Sequence, residues 1–208
     1  MPDLTDLLAT TLAFKSFGIS VLASIAVVTQ LLIVAIIVAL IAWRVSPGAR
    51  AALAGPRDAI GRYGVWMAWF VATFAMLSSL WLSEVKHFVP CHLCWLQRYF
   101  MYPLSVVLIG VALAKRWWLT LAAIVIPLIG AGISAWHMYI EANPEVETCS
   151  KSAPCSFKWV DEFGYVTIPT MAGTAFVLII LLLAIAGMSQ RSARRAQDEA
   201  APAPAELS

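Results

Sequence analysis

No charged residue occurs between Lys15 and Arg44, a run of 28 positions, and a helix over 19–43 is long enough to cross about 30 Å of hydrocarbon at about 1.5 Å per residue. Further uncharged runs lie at 63–83, 99–114, 117–140 and 163–190. The chain therefore reads as an all-α integral membrane protein with five spans. Of its 208 residues 61% are apolar and 12% charged, more apolar surface than a soluble fold of this size can hide, which excludes a cytosolic enzyme and a nucleic-acid binder. The first run does not read as a cleaved signal peptide, because its leader carries Asp3 and Asp6 instead of a basic cluster and the run is too long.

Orientation follows from where the basic residues sit, since the net charge of +2 supplies no global field. Arg44, Arg50, Arg57 and Arg62 lie between the first two spans, Lys115 and Arg116 after the third, and Arg191, Arg194 and Arg195 in the tail, nine in all. The opposite side holds five, Lys15, Lys86, Arg98, Lys151 and Lys158, with eight of the twelve acidic residues. Cytoplasmic loops retain the Lys and Arg excess, so the N-terminus is expected outside, the C-terminus in the cytoplasm, and the segments 84–98 and 141–162 outside. The expected organisation is an N-terminal segment, 1–62, with an extra transmembrane helix and a basic cytoplasmic loop, then a four-helix bundle over 63–190. A tail at 191–208, with its Ala-Pro-Ala-Pro stretch, reads as disordered.

Four cysteines form two close pairs, Cys91 with Cys94 and Cys149 with Cys155, both on the side where disulfides are made and persist. Pro90 suits the first turn of a helix, which puts Cys91 among unsatisfied backbone donors that favour the reactive thiolate. On that helix Cys91, Cys94 and Arg98 share one face. The run 99–114 spans only about 24 Å against the roughly 30 Å required, so the helix is expected to begin near Cys91. Arg98 then sits at the outer interface, where an arginine is expensive and more often functional than accidental. Pro103 is expected to kink the helix and open a groove beside the cysteines. Other readings stay open. Arg98 also fits a snorkelling anchor, Cys-x-x-Cys also fits a zinc site or a staple, and His92 either tunes the thiolate or faces water. The Cys149-x5-Cys155 spacing is wrong for a zinc ribbon. Joining that pair would restrain the unfolded chain by only about 2 kcal/mol, which suits a bond broken and remade by a thiolate better than a staple, with a loop-shaping bridge as the alternative.

The run Pro90-Cys-His-Leu-Cys-Trp-Leu-Gln-Arg98, followed by Met101-Tyr-Pro-Leu104, resembles the disulfide bond formation protein B family (DsbB), especially its BdbC-type branch. The later Ala153-Pro-Cys155 and Phe163-Gly-Tyr-Val-Thr-Ile-Pro169 are similar to that branch as well. The resemblance covers about residues 63–187, and the first span departs from a four-span family core. It implies a thiol–disulfide oxidoreductase of the bacterial cytoplasmic membrane, a four-helix bundle that reoxidises a DsbA-like thioredoxin-fold protein and passes electrons to a membrane quinone, ubiquinone or menaquinone. By position Cys91 and Cys94 match the quinone-proximal pair, Arg98 the arginine that contacts the quinone, and Cys149 and Cys155 the loop pair that exchanges with the partner. His137 falls where a family histidine lies near the quinone, although a histidine in a span is also commonly a hydrogen-bonded packing residue. No metal is implied. Vitamin K epoxide reductases also combine a related bundle with two cysteine pairs, but their Cys-x-x-Cys follows the loop pair, whereas here it precedes it. Two rivals from other classes are a non-enzymatic membrane protein stapled by two local disulfides and a zinc-stabilised scaffold.

Overall fold

The computed structural model describes residues 4–147, 149 and 153–200; Asp3, Lys151 and the Ala-Pro stretch after residue 200 lie outside the described residues. The first uncharged run lies within one helix, α1 (Leu4–Val45). Ser46 then caps a short helix, α2 (Pro47–Ala52), its hydroxyl accepting from the Ala49 amide at 3.4 Å with Pro47 at the first helical position. The remaining helices are α3 (Ala54–Glu84), α4 (His92–Ala114), α5 (Trp117–Ala122), α6 (Val125–Ala142) and α7 (Ile168–Ala200), with a 3-10 turn at Pro144–Val146. Among the described residues five stretches are long and apolar enough to cross a membrane: Phe17–Val45, α3, α4, α5 with α6, and α7. The protein is an all-helical, multi-pass membrane protein.

Helix boundaries follow local chemistry. α4 begins at His92 with Cys91 as its N-cap, as the length argument requires, and it runs through Pro103 unbroken. The fourth span is interrupted at Ala123 and Ile124, where Pro127 has no N–H to offer the Ala123 carbonyl. The last helix starts at Ile168, later than the uncharged run, because Phe163 and Gly164 take φ of 55° and 76° in a turn closed between Glu162 and Val166. At its other end α7 continues past Arg191 to Ala200, so the described part of the expected tail is helical. The Ala, Arg and Gln residues there are good helix formers, and Arg194 pairs with Asp198 one turn on at 3.6 Å.

α7 occupies the middle of the bundle, packing on α1, α3, α5 and α6, while α4 packs on α3 and α6. Phe176, Ile179 and Leu183 share one face of α7 and are fully buried against Leu104 and Leu108 of α4 and Ala68 and Ala72 of α3. Gly130 lets α6 approach, because a Cβ there would overlap the Phe176 ring. α1 meets the bundle through a narrow stripe, Ala23, Ala26 and Ile33, and its other faces are largely exposed, as a lipid-facing helix requires. In that stripe Gln30 donates to Thr174 Oγ1 at 3.1 Å and accepts from the Tyr165 hydroxyl at 2.8 Å. Basic groups lie over tryptophan rings at both ends of the bundle. Arg57 covers Trp43 and Arg191 covers Trp117 at one end, and Lys86 covers Trp81 and Arg98 covers Trp95 at the end that carries the cysteines.

Candidate active site

The start of α4 positions the first pair. Cys91 is extended (φ −72°, ψ 174°) and its sulfur accepts from the Cys94 amide at 3.4 Å, so the thiol itself serves as the helix cap. The next turn brings Cys94 Sγ to 3.1 Å from Cys91 Sγ, with both sulfurs as thiols. The Cys91 thiol is held well below the usual thiol range, first by the Cys94 thiol and, against the opposing effect of burial, by His137. His92 is exposed.

His137, on α6, is buried and lies between the two cysteine pairs. Its Nε2 is 3.0 Å from the Cys155 carbonyl and 3.7 Å from Cys91 Sγ, and its Nδ1 is 3.4 Å from the Gln97 side-chain nitrogen. A carbonyl only accepts and the Gln97 amide nitrogen only donates, so the neutral ring carries its proton on Nε2 and accepts at Nδ1. This arrangement ties α4, α6 and the second loop together at one imidazole.

In that loop Cys149 and Cys155 form a disulfide with a Cα–Cα distance of 5.7 Å. The two sulfurs are not equivalent. Cys155 is 1% exposed and clusters with Cys91, Leu93 and Ile140, whereas Cys149 is half-buried. Glu147 clamps both ends of the ring, Oε1 accepting from the Cys149 amide at 2.9 Å and Oε2 from the Ser156 amide at 2.7 Å. Burial works to raise this carboxyl, but the Ser156 and Cys149 donors outweigh it and hold it below the ordinary carboxylate range. Trp159 stacks on Phe88 at 5.1 Å, joining this loop to the segment that leads into α4.

Arg98 faces elsewhere. Its Nε donates to Ser79 Oγ at 3.0 Å, and its Nη2 donates to the Ser79 carbonyl at 3.1 Å and to Ser83 Oγ at 2.9 Å, all on α3. Nη1 has no hydrogen-bond partner among the described residues. With Cys94 and Gln97, Arg98 lines one part of a mostly apolar cleft of 380 Å³ between α1, α3, α4 and α7. Tyr102 lines the same cleft, and its buried hydroxyl has no partner among the described residues. Cys94 therefore borders the cleft, while Cys91 faces His137 and Cys155.

Donor atoms of Cys91, Cys94 and His137 lie within 4.8 Å of one another, a soft three-donor set that is also a possible metal shell. The loop sulfurs are bonded to each other, so the two pairs do not converge on the four-thiolate shell of a zinc ribbon. Sequence reasoning missed Gln97, Ser79, Ser83, Gln30 and Glu147. Gln30 left a signal, an amide inside an apolar span, where polar side chains usually face a partner helix. The serines and Glu147 left none, because their parts are defined only by what lies across from them.

The profile of the family "Disulfide bond formation protein DsbB" matches residues 61–189. Disulfide bond formation protein C of Bacillus subtilis (strain 168) is 38% identical over 130 residues, covering 58% of this chain and 90% of that protein. Probable disulfide formation proteins of Oceanobacillus iheyensis and Halalkalibacterium halodurans are also 38% identical, over 56% and 55% of this chain and 83% and 85% of their own lengths. No solved structure matches the chain. From α3 into α7, with both cysteine pairs inside the match, the chain belongs to the DsbB family of disulfide bond formation proteins, on its BdbC-type branch.

Proposed function

We propose that this protein is a dithiol:quinone oxidoreductase that reoxidises a thioredoxin-fold, DsbA-like protein outside the bacterial cytoplasmic membrane. Membership in the family carries disulfide bond formation by thiol–disulfide chemistry. One observation supports the finer reading: the sulfurs form a graded path, from half-buried Cys149 through Cys155 and Cys91, packed together, to Cys94 at the cleft.

A partner thiolate attacks Cys149, the more accessible sulfur, and Cys155 leaves as a thiolate. The partner's second thiolate then attacks the mixed disulfide, so the partner leaves oxidised and the loop pair holds two electrons and, after protonation, two protons. Cys155 next attacks Cys91 of an oxidised Cys91–Cys94 pair, releasing Cys94 as the thiolate, and Cys149 then attacks Cys155, expelling Cys91 as a thiolate and restoring the loop disulfide, so the two electrons rest on Cys91 and Cys94. The His137 N–H directed at this junction stabilises sulfur charge as it develops, and Gln97 fixes the ring's tautomer.

The cleft fits a quinone: the two Arg98 Nη1 N–H groups, without a hydrogen-bond partner among the described residues, are available for an oxygen acceptor beside Cys94, and apolar walls suit a hydrocarbon tail. A quinone bound there supplies a two-electron, two-proton acceptor as Cys91 and Cys94 close to a disulfide. Arg98, held by Ser79 and Ser83, orients the ring through its planar fork. The nine-to-five basic asymmetry supports the orientation with both loops outside and the C-terminus in the cytoplasm. The test is purified full-length protein in detergent, supplied with a reduced thioredoxin-fold dithiol protein and decyl-substituted benzoquinone. Loss of quinone absorbance matched one for one by partner disulfide is expected, and partner oxidation that proceeds equally without quinone overturns the reading.

A further inference from the structure

α1 lies before the part of the chain that matches the family, yet it contributes Leu22, Ile25, Ala26 and Thr29 to the wall of the cleft. Apart from Thr174 on α7, whose hydroxyl is engaged by Gln30 and the Thr170 carbonyl, the polar groups that α3, α4 and α7 give the cleft come from α3 and α4: Ser78, Ser79, Cys94, Gln97, Arg98 and Tyr102. What α1 offers is different in kind. Three of its four lining residues are aliphatic, and the Thr29 hydroxyl is turned back on the Ile25 carbonyl at 2.7 Å, leaving its methyl as the apolar face. From 22 to 29 the helix rises about 10 Å, which is the dimension of a tail and not of a ring.

The placement of α1 is fixed and not merely adjacent. Gln30 bonds both Thr174 on α7 and Tyr165 in the turn before it, Ser20 donates to Glu162 at 3.4 Å, and the Trp81 ring fills the space where Gly18 lacks a side chain. Polar tethers inside a span persist because lipid offers the freed groups no other partner. Without α1 the space between α3 and α7 would be a groove open to lipid tails along its length.

We infer that α1 is the tail-recognition wall of this cleft: it selects for the isoprenoid chain of the quinone, while α3 and α4 hold the ring. This deepens the quinone reading and rests on it. The test compares two probes, 2,3-dimethoxy-5-methyl-1,4-benzoquinone without a tail and its decyl derivative, titrated against full-length protein in nanodiscs with tryptophan fluorescence as the binding signal. Partitioning of the decyl probe into lipid is common to all variants, so the ratio of dissociation constants between variant and native protein is the quantity read. Ile25→Trp, at a position 41% exposed where bulk does not disturb the core, should weaken the decyl probe about tenfold, the scale of two lost methylene contacts, and leave the tail-less probe within about twofold. Leu22→Ala should act in the same direction by removing wall instead of adding bulk. Equal effects on both probes, or none on either, in correctly inserted variants would refute the role given to α1 while leaving the quinone reading in place. Native protein that binds neither probe would overturn both together.

Discussion

The two cysteine pairs are held by opposite means. Cys91 and Cys94 belong to the first turn of a regular helix, backed by Gln97 and His137 from two helices and buried on the side that faces the loop. Cys149 and Cys155 lie in irregular chain whose shape depends on one carboxylate and one stacked pair of rings. A site that meets a protein partner needs an accessible sulfur and a backbone able to yield. A site that meets a small acceptor inside a membrane needs fixed donors and no water. On the proposed division of labour, the same element, sulfur, is set in a helix turn for one task and in irregular chain for the other.

The comparison breaks most visibly if the pairs are interchangeable. Cys91→Ala should reduce quinone turnover to background while the loop disulfide still oxidises one equivalent of partner, and Cys155→Ala, mixed with the oxidised partner, should accumulate a mixed disulfide on non-reducing gels as the Cys149 thiolate attacks the partner disulfide and releases the partner's second thiolate. Both variants turning over at the native rate would end the division of labour. A smaller effect separates the cleft from the loop. A charge-assisted hydrogen bond is worth about 1.5–3 kcal/mol, so Arg98→Ala should lose roughly ten- to a hundredfold in kcat/KM for quinone, with Arg98→Lys in between and single-turnover partner oxidation unchanged. Slowed partner oxidation in Arg98→Ala would show that the two regions are mechanically one.

The smallest effect concerns the clamp. Glu147→Gln keeps one acceptor oxygen and loses the other, so reduction of the loop disulfide by a small phosphine should speed up by about two- to tenfold at pH 7. Because the native carboxyl titrates below its ordinary value of 4.5, the clamp is intact above that value and is lost only as pH falls through the lowered one. The ratio of variant to native rates should therefore stay flat from pH 7 to pH 5 and approach unity in stronger acid. A ratio that already falls between pH 7 and pH 5 would mean that Glu147 is not held as an anion by the loop amides.

Much of this architecture is legible in the sequence, because the bilayer imposes a length on every span. The 16 residues after Arg98 are too few to cross, and that deficit alone locates the start of α4 near Cys91. Reading uncharged runs as helices fails where turn chemistry intervenes without charge, as at Phe163-Gly164, and where a proline splits a span, as at Pro127. The charged residues after Gln190 suggest solvent-exposed coil to a reading based on composition, yet their helix propensities prevail. Cysteines and Arg98 announce themselves by their chemistry and cost. Ser79 and Glu147 do not, since an ordinary residue becomes a clamp only when the fold brings a partner opposite it.

The tryptophans capped by basic groups at both ends of the bundle have a consequence for depth. Indole rings favour the boundary between headgroups and hydrocarbon, and a cation over the ring face strengthens that preference on the aqueous side. Trp43 and Trp117 lie at one end of the bundle and Trp81 and Trp95 at the other, a placement that favours one depth along the membrane normal. Trp95 belongs to the same helical turn as Cys94, and that depth therefore puts the thiol within about one helical pitch, ~5 Å, of the plane where water ends. A bilayer a few ångströms thinner would have to deform around this protein before it could wet the cleft.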